Sequence, residues 1–200
     1  MNYPGLSRTI IRKYRIPPLL IQALLITSIF LTTHISAELP NPPGGNFTLY
    51  SQKGSVSLAD FRGKVVAIYF GYTSCGAVCP MSLAQISAAM KKLSRKERKK
   101  VAGIFISIDP DRDTPKQAAN YAKQFDPLIV GLSGKLSEIK KVADQYGAVF
   151  MKVDIKSSMQ YACDHSSYTY IVNPVGKLVK ILPHGVSSEI ILNELRNNME

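Results

Sequence analysis

Six consecutive apolar residues, Val65-Val66-Ala67-Ile68-Tyr69-Phe70, lead almost directly into Cys75-Gly76-Ala77-Val78-Cys79-Pro80. A strand with one wet face alternates in polarity. A strand that is apolar throughout must be covered on both faces, as in a sheet held between helix layers. Beyond the cysteines the period changes, and Met81, Leu83, Ile86, Met90 and Leu93 recur at helical spacings to about Lys92. Two thiols therefore sit where a central strand hands over to a helix. Free N–H groups and the helix dipole at that point favour thiolate over thiol.

The same alternation continues down the chain. Val101 to Ile108 is a second buried-strand run, and Thr114-Pro115 opens a helix with Thr as N-cap and Pro at N1. Leu128 to Leu132 reads as a strand, Leu136 to Tyr146 as a helix ended by Gly147, and Val149 to Val153 as a strand. Asp154 to Ser158 and the stretch Tyr161 to Ser167 read as loop. Tyr168 to Val172 and Leu178 to Leu182 flank Asn173-Pro174-Val175-Gly176 as a hairpin, and Ser187 or Ser188 caps a final helix, Glu189 to Asn198. Ahead of the central strand, Phe47 to Tyr50 and Val56 to Leu58 are short strands turned at Lys53-Gly54. The expected fold is α/β: a thioredoxin-like mixed sheet flanked by helices, with an N-terminal β extension and an inserted strand or loop before the C-terminal hairpin.

Residues 1–37 stand apart from that pattern. Arg8, Arg12, Lys13 and Arg15 precede the apolar stretch Leu19 to Leu31, and Ala37 offers a small residue at a processing site. This is the signature of a secretory signal peptide. Kept uncleaved, it would be a membrane anchor. Residues 38–46 are a Pro/Gly linker, leaving 47–200 as one domain. Export to the periplasm or the periplasmic face of the inner membrane is expected. The alternative is a mitochondrial inner-membrane location facing the intermembrane space.

Basic residues cluster at Lys91-Lys92 and from Arg95 to Lys100. No aromatic residues interleave with them, so they read as the solvated end of a helix and its connection, not as a nucleic-acid surface. Three cysteines are too few for a disulfide framework, which makes a chemical use of the thiols the better reading.

Cys75 and Cys79, four apart, share one face of a helical backbone and can address a single point. They can close a disulfide or clamp an ion. His165, in Tyr161-Ala162-Cys163-Asp164-His165-Ser166-Ser167, precedes a strand that would neighbour the central one. Two thiolates and an imidazole suit copper in its reduced state, whereas structural zinc wants four protein ligands. Thiol exchange or peroxidase chemistry at Cys75 or Cys79 is the rival, with Cys79 or Cys163 to resolve a mixed disulfide. Cys163 reads equally as a small buried hydrophobe or as a third sulfur for the site. His34 and His184 lack a comparable setting. Met81, Met90, Met151 and Met159 read as core filling, with Met159 the nearest in sequence to His165. The carboxylates of Asp109-Pro110-Asp111-Arg112-Asp113-Thr114-Pro115 read as a turn, a salt bridge to Arg112 and a helix cap.

Three segments together resemble the Sco/SenC family. They are Gly71-Tyr72-Thr73-Ser74-Cys75-x-x-x-Cys79-Pro80, Ser107 to Pro115, and Asp164-His165-Ser166 ahead of Tyr170-Ile171-Val172-Asn173-Pro174-x-Gly176. The resemblance implies a thioredoxin-like, exported or membrane-tethered protein that binds copper through Cys75, Cys79 and His165. It implies a role in assembling the binuclear copper centre of cytochrome c oxidase, as a metallochaperone, a thiol reductant or both. The partners it implies are the copper-receiving oxidase subunit and a thiol reductant or other copper chaperones. Two features depart from the family pattern: Gly76-Ala77 replaces its usual Pro-Asp, and Cys163 is an added thiol.

Overall fold

The computed structural model describes residues 44–155 and 161–199. The leader, most of the linker, His34 and Met159 lie outside them. Strand β3 (Val65–Gly71) and strand β4 (Val101–Ser107) pair in parallel, and every residue of both is buried. Each fully buried Val, Ile or Phe side chain contributes about 1.5–3 kcal/mol, so these two strands carry much of the core. Strand β5 (Ile129–Leu132) extends the sheet in parallel beside β4. On the other side β8 (Thr169–Val172) lies antiparallel to β3 and pairs with β9 (Leu178–Leu182), giving the order β5-β4-β3-β8-β9.

Helix α1 (Val78–Lys91) packs on β3 together with α5 (Ser188–Asn197), and α3 (Pro115–Lys123) lies on β4 and β5. Helix α4 (Leu136–Tyr146) ends on Gly147 at φ 68°, a left-handed C-cap that other residues adopt at a cost. Thr114 caps α3 with Pro115 at its first position, as the sequence predicts. Ser187 caps α5. Lys91 and Lys92 end the first long helix as expected, but the rest of the basic run is more than a connection. Ser94 starts a separate short helix, α2 (Arg95–Arg98), and Arg98 turns inward to the buried Asp126 carboxylate at 3.1 Å.

The N-terminal hairpin, β1 (Thr48–Ser51) and β2 (Gly54–Ser57), attaches through mutual hydrogen bonds between Tyr50 and Ser133 just beyond β5. Gly44 to Asn46, within the expected linker, are tied to α4. Gly44 N–H donates to Gln145 O, and the Tyr146 hydroxyl donates to Gly45 O.

One expectation fails. Tyr161 to His165, read as loop, is strand β7, paired antiparallel with β6 (Phe150–Asp154) in a separate two-stranded sheet. Tyr-Ala-Cys-Asp-His carries no two-residue polarity pattern. Its strand conformation comes from the partner, with Phe150 opposite His165 and Lys152 opposite Cys163.

Candidate metal centre

Strand β3 stops at Gly71, and four residues later the chain presents Cys75. Ala77, the N-cap of α1, makes no side-chain hydrogen bond, so the first N–H groups of the helix have no capping oxygen. The Cys75 sulfur takes that place, accepting from Cys79 N–H at 3.4 Å. Burial pushes the Cys75 thiol up. Hydrogen bonds from the N–H groups of Cys79, Ala77 and Val78 outweigh it, and the thiol lies below its ordinary value. Cys79 is the opposite case. It is fully buried, and burial, reinforced by the neighbouring Cys75, raises its thiol far above the usual range. One sulfur is partly exposed with its thiol lowered toward thiolate, and the other is a buried thiol held raised.

The end of β7 brings His165 to this pair, with Nε2 3.3 Å from Cys79 Sγ. One ligand atom from each of Cys75, Cys79 and His165 lies within 4.8 Å of the others. Among the described residues these are the only three His, Cys or carboxylate side chains so grouped. Burial lowers the His165 pKa, keeping the imidazole neutral and able to ligate. Its Nδ1 faces the Ser166 carbonyl at 3.3 Å, which favours the tautomer that leaves Nε2 with a free lone pair. The rings of Tyr69 and Tyr72 stand edge-on to the imidazole at 6.1 and 6.0 Å, fixing its plane.

Two further features shape the site. A side chain at Gly71 would put its Cβ 2.9 Å from Cys79 Sγ and 2.9 Å from the Tyr69 ring, so the sulfur occupies space only glycine leaves open. The turn at Asp109 to Thr114 does more than the sequence predicts. The Asp109–Arg112 salt bridge and the Thr114 cap are present. In addition, the buried Asp113 carboxylate accepts from Thr73 N–H at 2.8 Å, from the Thr73 hydroxyl, and from the Ser107 hydroxyl at 2.6 Å. Asp109 accepts from the Tyr161 hydroxyl at 2.7 Å, while Arg112 lies 3.9 Å over the Tyr161 ring and donates to its carbonyl at 3.1 Å. One turn thus grips both ligand-bearing segments, at Thr73 before Cys75 and at Tyr161 before His165. The surplus of carboxylates over what a turn and a cap require was the available signal.

Cys163 does not supply a third sulfur to the group. It is buried in the core, and burial raises its thiol. All three cysteines are unpaired. His184 stands outside the group, bonded to Ser82. Met90 is buried as core filling, whereas Met81 and Met151 are exposed.

The model of the SCO1/SenC family matches residues 36–200. A curated relative, the mitochondrial SCO1 homolog 1 of Arabidopsis thaliana, is 38% identical over 138 residues, covering 68% of this chain and 41% of that protein. The chain thus spans about two fifths of that relative's length. The solved structure of Bradyrhizobium japonicum ScoI with copper bound is 36% identical at a TM-score of 0.67, over 78% of this chain and 99% of that one. A structure of BsSco, a member of the Sco family of cytochrome c oxidase assembly proteins, is 29% identical at a TM-score of 0.62, covering 80% and 95%. A disulfide switch has been identified in BsSco.

Proposed function

The chain belongs to the SCO1/SenC family, and from that membership we propose that it is a copper metallochaperone serving cytochrome c oxidase assembly. Cys75, Cys79 and His165 hold one copper ion, which passes to an oxidase subunit by thiolate exchange. The observation that carries this reading is the convergence of two sulfurs and a neutral imidazole within 4.8 Å. Soft sulfur donors with a nitrogen select reduced copper, and hard cations want oxygen. Three ligands leave the ion open to an incoming thiolate, so a partner can add its sulfur before one here departs. The half-exposed Cys75 is the ligand on the accessible side and Cys79 the buried anchor.

Copper(I) titration of the reduced protein, with competition by a chelator of known affinity, tests this. Stoichiometry near one is expected, with loss of tight binding in Cys75→Ser, Cys79→Ser and His165→Ala. A first equivalent indifferent to all three substitutions would sink the reading.

Thiol–disulfide exchange is the second reading, supported by the lowered thiol of Cys75 and its partial exposure beside Cys79. Such chemistry needs no metal ligand at His165. Rapid turnover of a disulfide substrate, undiminished in His165→Ala, would favour it. The basic, apolar leader 1–37 supports export to the periplasm or the intermembrane space, with residues 47–200 as the copper-binding domain. Among the described residues no helix is long and apolar enough to cross a membrane.

A further inference from the structure

We infer that Met81 and His184 form a second, weaker site for reduced copper, one helical turn from the buried sulfur of the main centre. The two residues line one pocket of about 80 Å³, which also involves Ser82, Gln85, Thr169 and Ile191. Its size decides what it can hold. Pockets for small organic molecules run to roughly 300–1,000 Å³, whereas this one has room for an ion with a water or two.

The donors are chosen and one of them is oriented. Ser82 follows Cys79 by three residues, on the same face of α1. It is only 8% exposed, and its hydroxyl lies 3.1 Å from His184 Nδ1. With Nδ1–H donating to Ser82 Oγ, His184 Nε2 carries the free lone pair. That is the arrangement in which metal-bound imidazoles are usually held by an outer oxygen.

Met81 supplies the second donor. Its side chain is 55% exposed and lines the same pocket as His184, so the thioether is accessible to an ion entering from solvent. Thioether and imidazole are both neutral and comparatively soft, and no carboxylate lines the pocket. That combination discriminates against calcium and magnesium, which take oxygen donors, and two protein donors fall short of the three or four that zinc takes while sufficing for monovalent copper. Two neutral donors hold the ion far less firmly than two thiolates and an imidazole. The pocket therefore offers a site from which the ion exchanges readily. It differs in every ligand from the proposed Cys75–Cys79–His165 centre, and either site can fail without the other.

The test uses the full chain carrying 13C-methyl methionine, titrated anaerobically with copper(I). In the wild-type protein the Met81 methyl and His184 ring signals are expected to stay put through the first equivalent and shift with the second. In Cys75→Ser/Cys79→Ser/His165→Ala they should shift with the first. Met81→Leu and His184→Gln should each weaken this step at least tenfold while leaving the first equivalent unchanged. Zinc(II) at the same concentration should move neither signal. If the triple variant does not fold, the wild-type titration repeated with silver(I), a monovalent mimic, carries the same test. Met81 and His184 signals that remain fixed through several equivalents of either ion overturn the inference. A second step that survives both single substitutions overturns it as well.

Discussion

Gly71→Ala isolates what the cysteine geometry depends on. The added Cβ would lie 2.9 Å from Cys79 Sγ, 2.9 Å from Tyr69 Cε1 and 3.2 Å from Phe105 Cε2. Comfortable carbon contacts begin near 3.5 Å, so the sulfur and the tyrosine ring must each retreat by about 0.6 Å. Overpacking of this kind costs about 1–3 kcal/mol in stability. The sulfur starts 3.3 Å from His165 Nε2, and a shift of that size spoils the convergence of three donors. Displaced or loosened supporting groups typically lower metal affinity about 10- to 100-fold, and that is the expected loss for copper(I).

Gly103→Ala is the control, because its Cβ would meet Ile129 Cγ1 at 2.8 Å on β5, away from the cysteines. Urea unfolding should show comparable destabilisation for the two variants, with midpoints shifted and slopes unchanged. Chelator competition should separate them, Gly103→Ala binding copper like the wild type. Equal copper affinity in both variants at equal destabilisation would refute the claim that Gly71 sets the position of Cys79.

Asp113→Ala leaves Thr73 N–H and two hydroxyls without their acceptor, at about 1–3 kcal/mol for a buried orphan. Urea unfolding should report a loss of about 3 kcal/mol, and copper affinity should fall with it because the Cys75 loop is released. Apparent copper affinity should rise with pH, since the ion displaces a proton from Cys79, whose thiol is raised, and none from the neutral His165. Competition titrations between pH 6 and 8 should show at least about tenfold per pH unit, one proton from Cys79 being the minimum released, and a flat profile would exclude Cys79 as a thiolate ligand. Glu97, held by Arg196 and the Ser94 N–H, has its carboxyl lowered from 4.5 to about 2. A lowered folded value means its contribution is present above pH 4.5 and lost as pH falls toward 2. Glu97→Gln should therefore flatten the acid limb of a stability–pH curve measured by urea midpoints.

The central strands were legible because burial on both faces leaves a mark that needs no partner to interpret. Val65 to Phe70 and Val101 to Ile108 could hardly be anything else, and the structure makes them β3 and β4. Helix ends were legible for a similar local reason. Thr114-Pro115 and Gly147 act through their own backbone geometry. Strand β7 was not legible, because its polarity pattern is mute and its conformation is conferred by β6. The two cysteines and His165 were legible as chemistry, whereas their 4.8 Å convergence depends on how β7 is placed.

Asp113 shows most plainly why residue types alone fall short. A carboxylate before a helix looks like a cap, and the cap here is in fact Thr114. Besides nearby Ser107, the partner of Asp113 is Thr73, forty positions away, and no local pattern encodes a pairing of that range. Asp109 and Arg112 reach Tyr161 across a still longer separation. None of these groups belongs to the ligand set, yet each constrains a segment that carries a ligand. Because the Cys75 loop and β7 are fastened to one buried turn, movement of either segment is resisted by the same carboxylates. The distance between thiolate and imidazole is thus set by oxygen atoms that need never touch the metal.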